Sequence, residues 1–175
     1  DRKKLSDLGL MVKESYKTIP SEFNGSEAEV DVKTTTGDWM GVEMVMLKKY
    51  ELTEQHPDTG LWRIKALRDF GNVAKGDIGG WIEGEKNLSH EGDAWVYGKA
   101  EVFGDAWVSG DARVSGDARV FGDARVSGDA WVSGDAWVSG DAEVSGDARV
   151  SGDAWVSGDA RVSGDAEVFG DARAH

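Results

Sequence analysis

The chain has 175 residues, enough for one domain or two small ones, and a formal net charge of −13. That charge argues against nucleic acid as a partner, because phosphate binding needs clustered Lys and Arg, and the absence of cysteine excludes disulfides and thiolate metal sites. No apolar run approaches a membrane span, and Asp1-Arg2-Lys3-Lys4-Leu5 lacks the apolar core of a signal peptide, so no membrane partner is expected.

Residues 1–45 read as a β-rich docking segment. The first residue is not Met, which points to processing, trimming or an incomplete sequence. Leu5-Ser6-Asp7-Leu8-Gly9-Leu10-Met11-Val12, then Pro20, Val30-Asp31-Val32 and Gly37-Asp38-Trp39, is weakly similar to the opening of siphophage distal tail proteins. The similarity covers about a quarter of the chain.

Residues 46–92 read as a β-hairpin and the N-terminal cap of a solenoid. Lys49-Tyr50-Glu51-Leu52-Thr53 and Leu61-Trp62-Arg63-Ile64-Lys65-Ala66-Leu67 alternate, with turn residues His56-Pro57-Asp58-Thr59-Gly60 between them. Arg68-Asp69-Phe70-Gly71-Asn72-Val73 and Gly79-Gly80-Trp81-Ile82 lead onward. Ile82 and Leu88 precede Ala94 at six-residue steps, which places them in the Ala column of the repeat. The stretch from Leu47 to Gly92 resembles the start of short hexapeptide-repeat proteins of phages and prophages that carry an acyltransferase label, and Met46 is the expected start of such a module.

From residue 93 to 175 the chain is a repeat of six: Asp-Ala-Trp-Val-Tyr-Gly, Lys-Ala-Glu-Val-Phe-Gly, Asp-Ala-Trp-Val-Ser-Gly and onward. Ala and Val are two apart, so on a strand they share a face, and the residues beside them point the other way. Gly-Asp makes the corner: Gly takes positive φ, and Asp is expected to cap its own bend. A strand this short cannot bury Val alone, whereas stacked coils give a continuous Ala/Val core. Three hexads per coil is the favoured register. At 18 residues the outward columns are Trp95-Arg113-Trp131-Arg149-Glu167, Glu101-Arg119-Trp137-Trp155-Arg173 and Trp107-Arg125-Glu143-Arg161, with no like charges adjacent. A 12-residue coil would set Arg113 on Arg125, and a 24-residue coil Glu143 on Glu167.

In the phase Val-Ser-Gly-Asp-Ala-Xaa the repeat resembles that of left-handed parallel β-helix proteins. It departs at the second position, where Ser, Phe or Tyr replaces Gly, Ala or an acid. The expected class is therefore all-β: a three-sided parallel β-helix of 18 residues per coil with a small β-rich N-terminal region. Its left hand rests on the resemblance alone, since crossover physics favours the right hand.

Acyltransferases of that family use a solenoid His as general base. No His lies between Glu91 and Ala174, and no inserted loop walls a cofactor cleft, so His56, His90 and His175 read as surface or cap residues and no catalytic residue is assigned. Thirteen corner aspartates, interrupted by Lys99, form carboxylate ladders, but the calcium solenoid has another period and more ligands per turn, so no metal site or cofactor is expected. Aromatics are the candidate contacts. One face is expected to expose Trp95, Tyr97, Trp131 and Phe169, and a second Phe103, Phe121, Trp137 and Trp155. The third has Trp107 and a column of Ser109, Ser127, Ser145 and Ser163. The expectation is a non-enzymatic structural or adhesion protein of phage or prophage type. Its solenoid would be a rigid spacer and binding surface in a virion tail or host cytoplasm. Partners would be copies of itself (a trimer favoured by the resemblance), other virion proteins or a cell-surface glycan. The alternatives are a degenerate or partner-completed acyltransferase and a glycan-binding module.

Overall fold

The computed structural model describes residues 11–12, 16–19, 28–35, 38–46 and 48–175, with side chains from residue 48 onward. Leu5 to Leu10, Pro20, Gly37 and Leu47, which carry part of the resemblances drawn above, lie outside the described residues. The chain divides into two units, Asp1–Lys48 and Lys49–His175. In the first, β1 (Met11–Val12), β2 (Tyr16–Ile19), β3 (Ala28–Thr35) and β4 (Asp38–Met46) form an antiparallel sheet in chain order.

The second unit opens with β5 (Tyr50–Gln55) and β6 (Trp62–Ala66), an antiparallel hairpin closed by the His56–Gly60 turn. β7 (Ile78–Ile82) pairs antiparallel with β6 and parallel with the solenoid, joining the two patterns in one sheet. Fourteen two-residue strands come next, β8 to β21, at six-residue steps from Trp95–Val96 to Arg173–Ala174. They stack into three parallel sheets, β8-β11-β14-β17-β20 on the first face, β7-β9-β12-β15-β18-β21 on the second and β10-β13-β16-β19 on the third. This unit is thus a three-sided β-solenoid of about five turns. Each strand pairs with the strand three ahead, Arg113 with Trp131 and Val114 with Val132, which is the 18-residue coil expected from the charge columns.

The period-two pattern sets the core. Every Ala and Val of the repeat from Ala94 to Val156 is fully buried, in a single column of small side chains continuous with Tyr50, Ile64, Ile82 and Leu88 of the cap. Each buried Val contributes about 1.5–3 kcal/mol. The corners need glycine for two reasons at once. Gly134 has φ +71°, and a Cβ there would lie 2.8 Å from Gly152 N in the next coil.

The structure departs from the sequence pattern in two places. Ile82 and Leu88 stand opposite Val102 and Val108, so they belong to the Val column and not the Ala column. The shift arises at His90-Glu91, two residues added to a corner that elsewhere reads Ser-Gly-Asp-Ala. The corner aspartates do not cap their own bends either. At Asp111, Asp117 and Asp123 the backbone N–H donates to the glycine carbonyl of the next coil, as Asp117 N does to Gly134 O at 2.9 Å, and the corner carboxylates face water. Among the described residues, corner carboxylates accept at two places: Asp111 from Asp93 N (3.0 Å) and Asp105 from Lys86 Nζ (3.1 Å).

The cap finishes the first coil with side chains. Corner carbonyls point toward the preceding coil, and the first coil has none. Buried Lys49 donates through Nζ to Ala94 O (2.7 Å) and Gly92 O (3.3 Å). Buried Asn87, held in the 3-10 turn Glu85–Asn87, donates through Nδ2 to Ala106 O (2.9 Å) and Gly104 O (3.0 Å). At the remaining corner Trp81 N of β7 supplies the donor to Ala100 O (2.9 Å). Burial and the neighbouring Arg68 guanidinium lower the Lys49 pKa from 10.5 to about 8. Burial, with Glu85 adding, pushes the Tyr50 phenol well above its usual range.

Candidate interaction face

Each hexad presents two outward residues, one on either side of Val, and stacking at 18 residues turns them into columns. The second face is built from β7, β9, β12, β15, β18 and β21. Its columns run Trp81, Glu101, Arg119, Trp137, Trp155, Arg173 and, alongside, Phe103 and Phe121. These aromatics form one connected run. Phe103 and Phe121 stack at 5.1 Å and 2°, Phe121 meets Trp137 edge-on at 5.9 Å, and Trp137 stacks on Trp155 at 5.0 Å and 1°. The run ends on cations: Arg119 sits 5.4 Å from Trp137 and Arg173 5.3 Å from Trp155. Arg119 also pairs with Glu101 at 3.3 Å. Stacked rings this close hold each other's rotamers, so the face is both apolar and fixed.

The four residues expected on the first face are not brought together. Trp95 is 1% exposed and belongs to the core, a correction to its assignment as a surface contact. Phe70 and Tyr50 meet its ring edge-on at 5.2 and 6.1 Å, and Gly79 leaves the space its ring fills. Tyr97 is half-buried against the same core, and burial raises its pKa. Trp131, 44% exposed, lies between Arg113 and Arg149 without stacking on either, and its Nε1 donates to Ser115 Oγ at 3.0 Å. Phe169, 66% exposed, stands on the last coil of that face. The third face keeps Trp107 above Arg125, Glu143 and Arg161, with its serine column.

At its upper end the second face runs into the hairpin, and here residues outside the sequence-level candidates gather. The Arg63 guanidinium lies 4.9 Å from the Trp81 ring, and His56 meets the same indole edge-on at 4.9 Å. Both border a cavity of about 360 Å³ whose other walls are Lys99, Glu101, Asp117 and Arg119. Lys99 is the available signal, as the one corner of the repeat without Asp. Among the described residues no group of three or more His, Asp or Glu could hold a metal ion, and no helix is long and apolar enough to cross a membrane.

A family model described as the YdcK beta solenoid repeat matches residues 106–122, 112–128, 118–134, 124–140 and 142–158. These stretches lie wholly within the regular coils and make up less than half the chain. No curated protein matches the chain. The repeat region is similar to that β-solenoid family, and fold and comparison agree on a β-solenoid repeat protein consistent with a structural or interaction role.

Proposed function

We propose that this chain is a non-enzymatic interaction protein of phage or prophage type, in which the solenoid is a rigid spacer and the second face joins copies of the chain into an oligomer. The observation that carries the reading is the connected run Phe103-Phe121-Trp137-Trp155, edged by Arg119 and Arg173, on one face of three. The core does not require it, because these side chains stand outside the Ala/Val column. Aromatics and Arg are enriched where surfaces bind, since they bury large area at low entropy cost.

The non-enzymatic half of the proposal rests on how the histidines are used. His90 stacks on Tyr50 at 4.2 Å and accepts from Lys49 N at 3.1 Å. His56 accepts from the Asp58 and Thr59 amides of its own turn, and His175 bonds Ser157. Each has a local structural use, and none projects from the middle coils, where an acceptor substrate would need a base.

Replacing Trp137 and Trp155 by Ser, with sedimentation and thermal melting read together, tests the interface. Dissociation to a folded monomer is the expected result. An unchanged assembly with a lower melting temperature would mean that the ladder only braces its own solenoid. Turnover of acetyl-CoA with an amino-sugar acceptor, abolished by a solenoid point mutation, would overturn the non-enzymatic reading. Images of native phage particles labelled through this chain test its virion placement.

A further inference from the structure

The cavity under the hairpin has the size of a ligand site, about 360 Å³ against the roughly 300–1,000 Å³ usual for small-molecule pockets. Its chemistry is mixed in a way that narrows the ligand. Arg63, Lys99 and Arg119 converge there in a chain of net charge −13. Arg119 is paired with Glu101 at 3.3 Å. Lys99 makes no ion pair or hydrogen bond among the described residues, although Asp117 follows it in the same corner column. Arg63 keeps its Nε buried and, among the described residues, without a hydrogen-bond partner. Among the described residues neither Arg63 nor Lys99 has a carboxylate partner, so this wall is matched to an anionic group.

The opposite requirement comes from Glu101 and Asp117, which as carboxylates can only accept hydrogen bonds. A small inorganic anion would serve the cations and be repelled by these two. A ligand carrying a carboxylate and several hydroxyls serves both, and the Trp81 indole gives its C–H surface an apolar wall. Lys99 adds a further reason. Aspartate holds this corner in the other thirteen hexads, so the fold does not demand lysine there.

We propose that this cavity binds an anionic sugar, a uronic acid residue of a polysaccharide. Its carboxylate faces Arg63 and Lys99, and its hydroxyls donate to Glu101 and Asp117. The site shares Arg119 with the aromatic ladder but does not depend on the ladder's role in assembly.

The test is calorimetric titration of the full chain with a galacturonate trisaccharide, its neutral galactose counterpart, open-chain gluconate and sodium sulfate. Saturable binding of the uronate is expected, at least tenfold tighter than the other three. Lys99→Asp should weaken it about tenfold with an unchanged melting temperature, and Lys99→Arg should restore it. The Trp137→Ser/Trp155→Ser variant should still bind, which keeps this proposal separable from the interface. No saturable uronate binding, equal binding by Lys99→Asp, or sulfate or gluconate binding as tightly as the sugar would each overturn it.

Discussion

Alanine at Gly134 and at Gly98 separates the two demands that a solenoid corner makes. Both glycines have positive φ, +71° and +61°, so alanine at either should cost about 1–2 kcal/mol for the left-handed conformation alone. Their surroundings differ. At Gly134 the new Cβ would lie 2.8 Å from Gly152 N and 3.0 Å from Gly152 O, while at Gly98 the nearest atom is Gly116 O at 3.9 Å. Relief at Gly134 means prising two coils apart, and the flanking bonds Ser133 N to Val150 O and Trp137 N to Ala154 O, both 2.9 Å, would stretch. Weakening those two at about 0.5–1.5 kcal/mol each brings Gly134→Ala to roughly 2–5 kcal/mol, against about 1–2 for Gly98→Ala. Coils touch only their neighbours, so one melting temperature would blur a local effect. Hydrogen exchange resolved by peptide is the suitable assay, with faster exchange expected in residues 131–156 for Gly134→Ala alone. Equal destabilisation by the two variants would show that φ sets the corner cost and that coil-to-coil contact adds nothing.

Val132→Asp should open the middle coils, because a carboxylate in this fully buried column costs several kcal/mol, whereas outward Ser127→Asp should change stability by less than about 1 kcal/mol; chemical denaturation of both variants checks the phase. Stability should also depend on alkaline pH through the cap. With Lys49 lowered to about 8, the unfolded chain keeps between pH 8 and 10.5 a proton that the folded chain has released, so stability rises through that window by at most about 3 kcal/mol. Tyr50 acts oppositely: above pH 10 the folded chain keeps a proton the unfolded one loses, and stability falls. Melting of the wild type and Lys49→Met across pH 7–11 should show the rise in the wild type alone.

The coil is legible in the sequence because the repeat states each of its physical demands many times. Val and Ala two apart fix which face is buried, and the charges on outward residues decide among registers, since Arg113 on Trp131 is compatible and Arg113 on Arg125 is not. Counting by six fails at the cap. Period alone sets Ile82 and Leu88 in the Ala column, yet His90-Glu91 adds two residues to one corner and moves both into the Val column. The cue is local: Leu88-Ser89 continues as Gly92-Asp93-Ala94 once those two are set aside. Trp95 departs from its pattern for a related reason. Position within a hexad says that a side chain leaves the Ala/Val core, but not that water lies beyond it. Gly79, whose Cβ would fall 2.7 Å from Trp95 Cζ2, shows how closely β7 is laid over that ring.

The cap carries a buried lysine and a buried asparagine, residues that periodicity gives no cause to expect, because the first coil has carbonyls to satisfy. At the Asp111, Asp117 and Asp123 corners two backbone donors reach the next coil, as Asp111 N does to Gly128 O and Arg113 N to Ala130 O. The first coil offers the same carbonyls with no coil before it, and a buried carbonyl without a donor is costly. At one corner the backbone of β7 still passes close enough for Trp81 N to reach Ala100 O. At the other two it does not, and a single side chain must reach two carbonyls with one residue between them. Lysine and asparagine each carry more than one N–H on one nitrogen, and both here span a Gly carbonyl and the next Ala carbonyl. A charged amine is the costlier solution, which the depressed Lys49 pKa registers, and the Phe70 ring 5.0 Å from Nζ offsets part of that cost. With its corner carbonyls taken in this way, the first coil presents no open row of acceptors to an added strand. That leaves the sides of the solenoid, where the aromatic run of the second face lies, for the association proposed above.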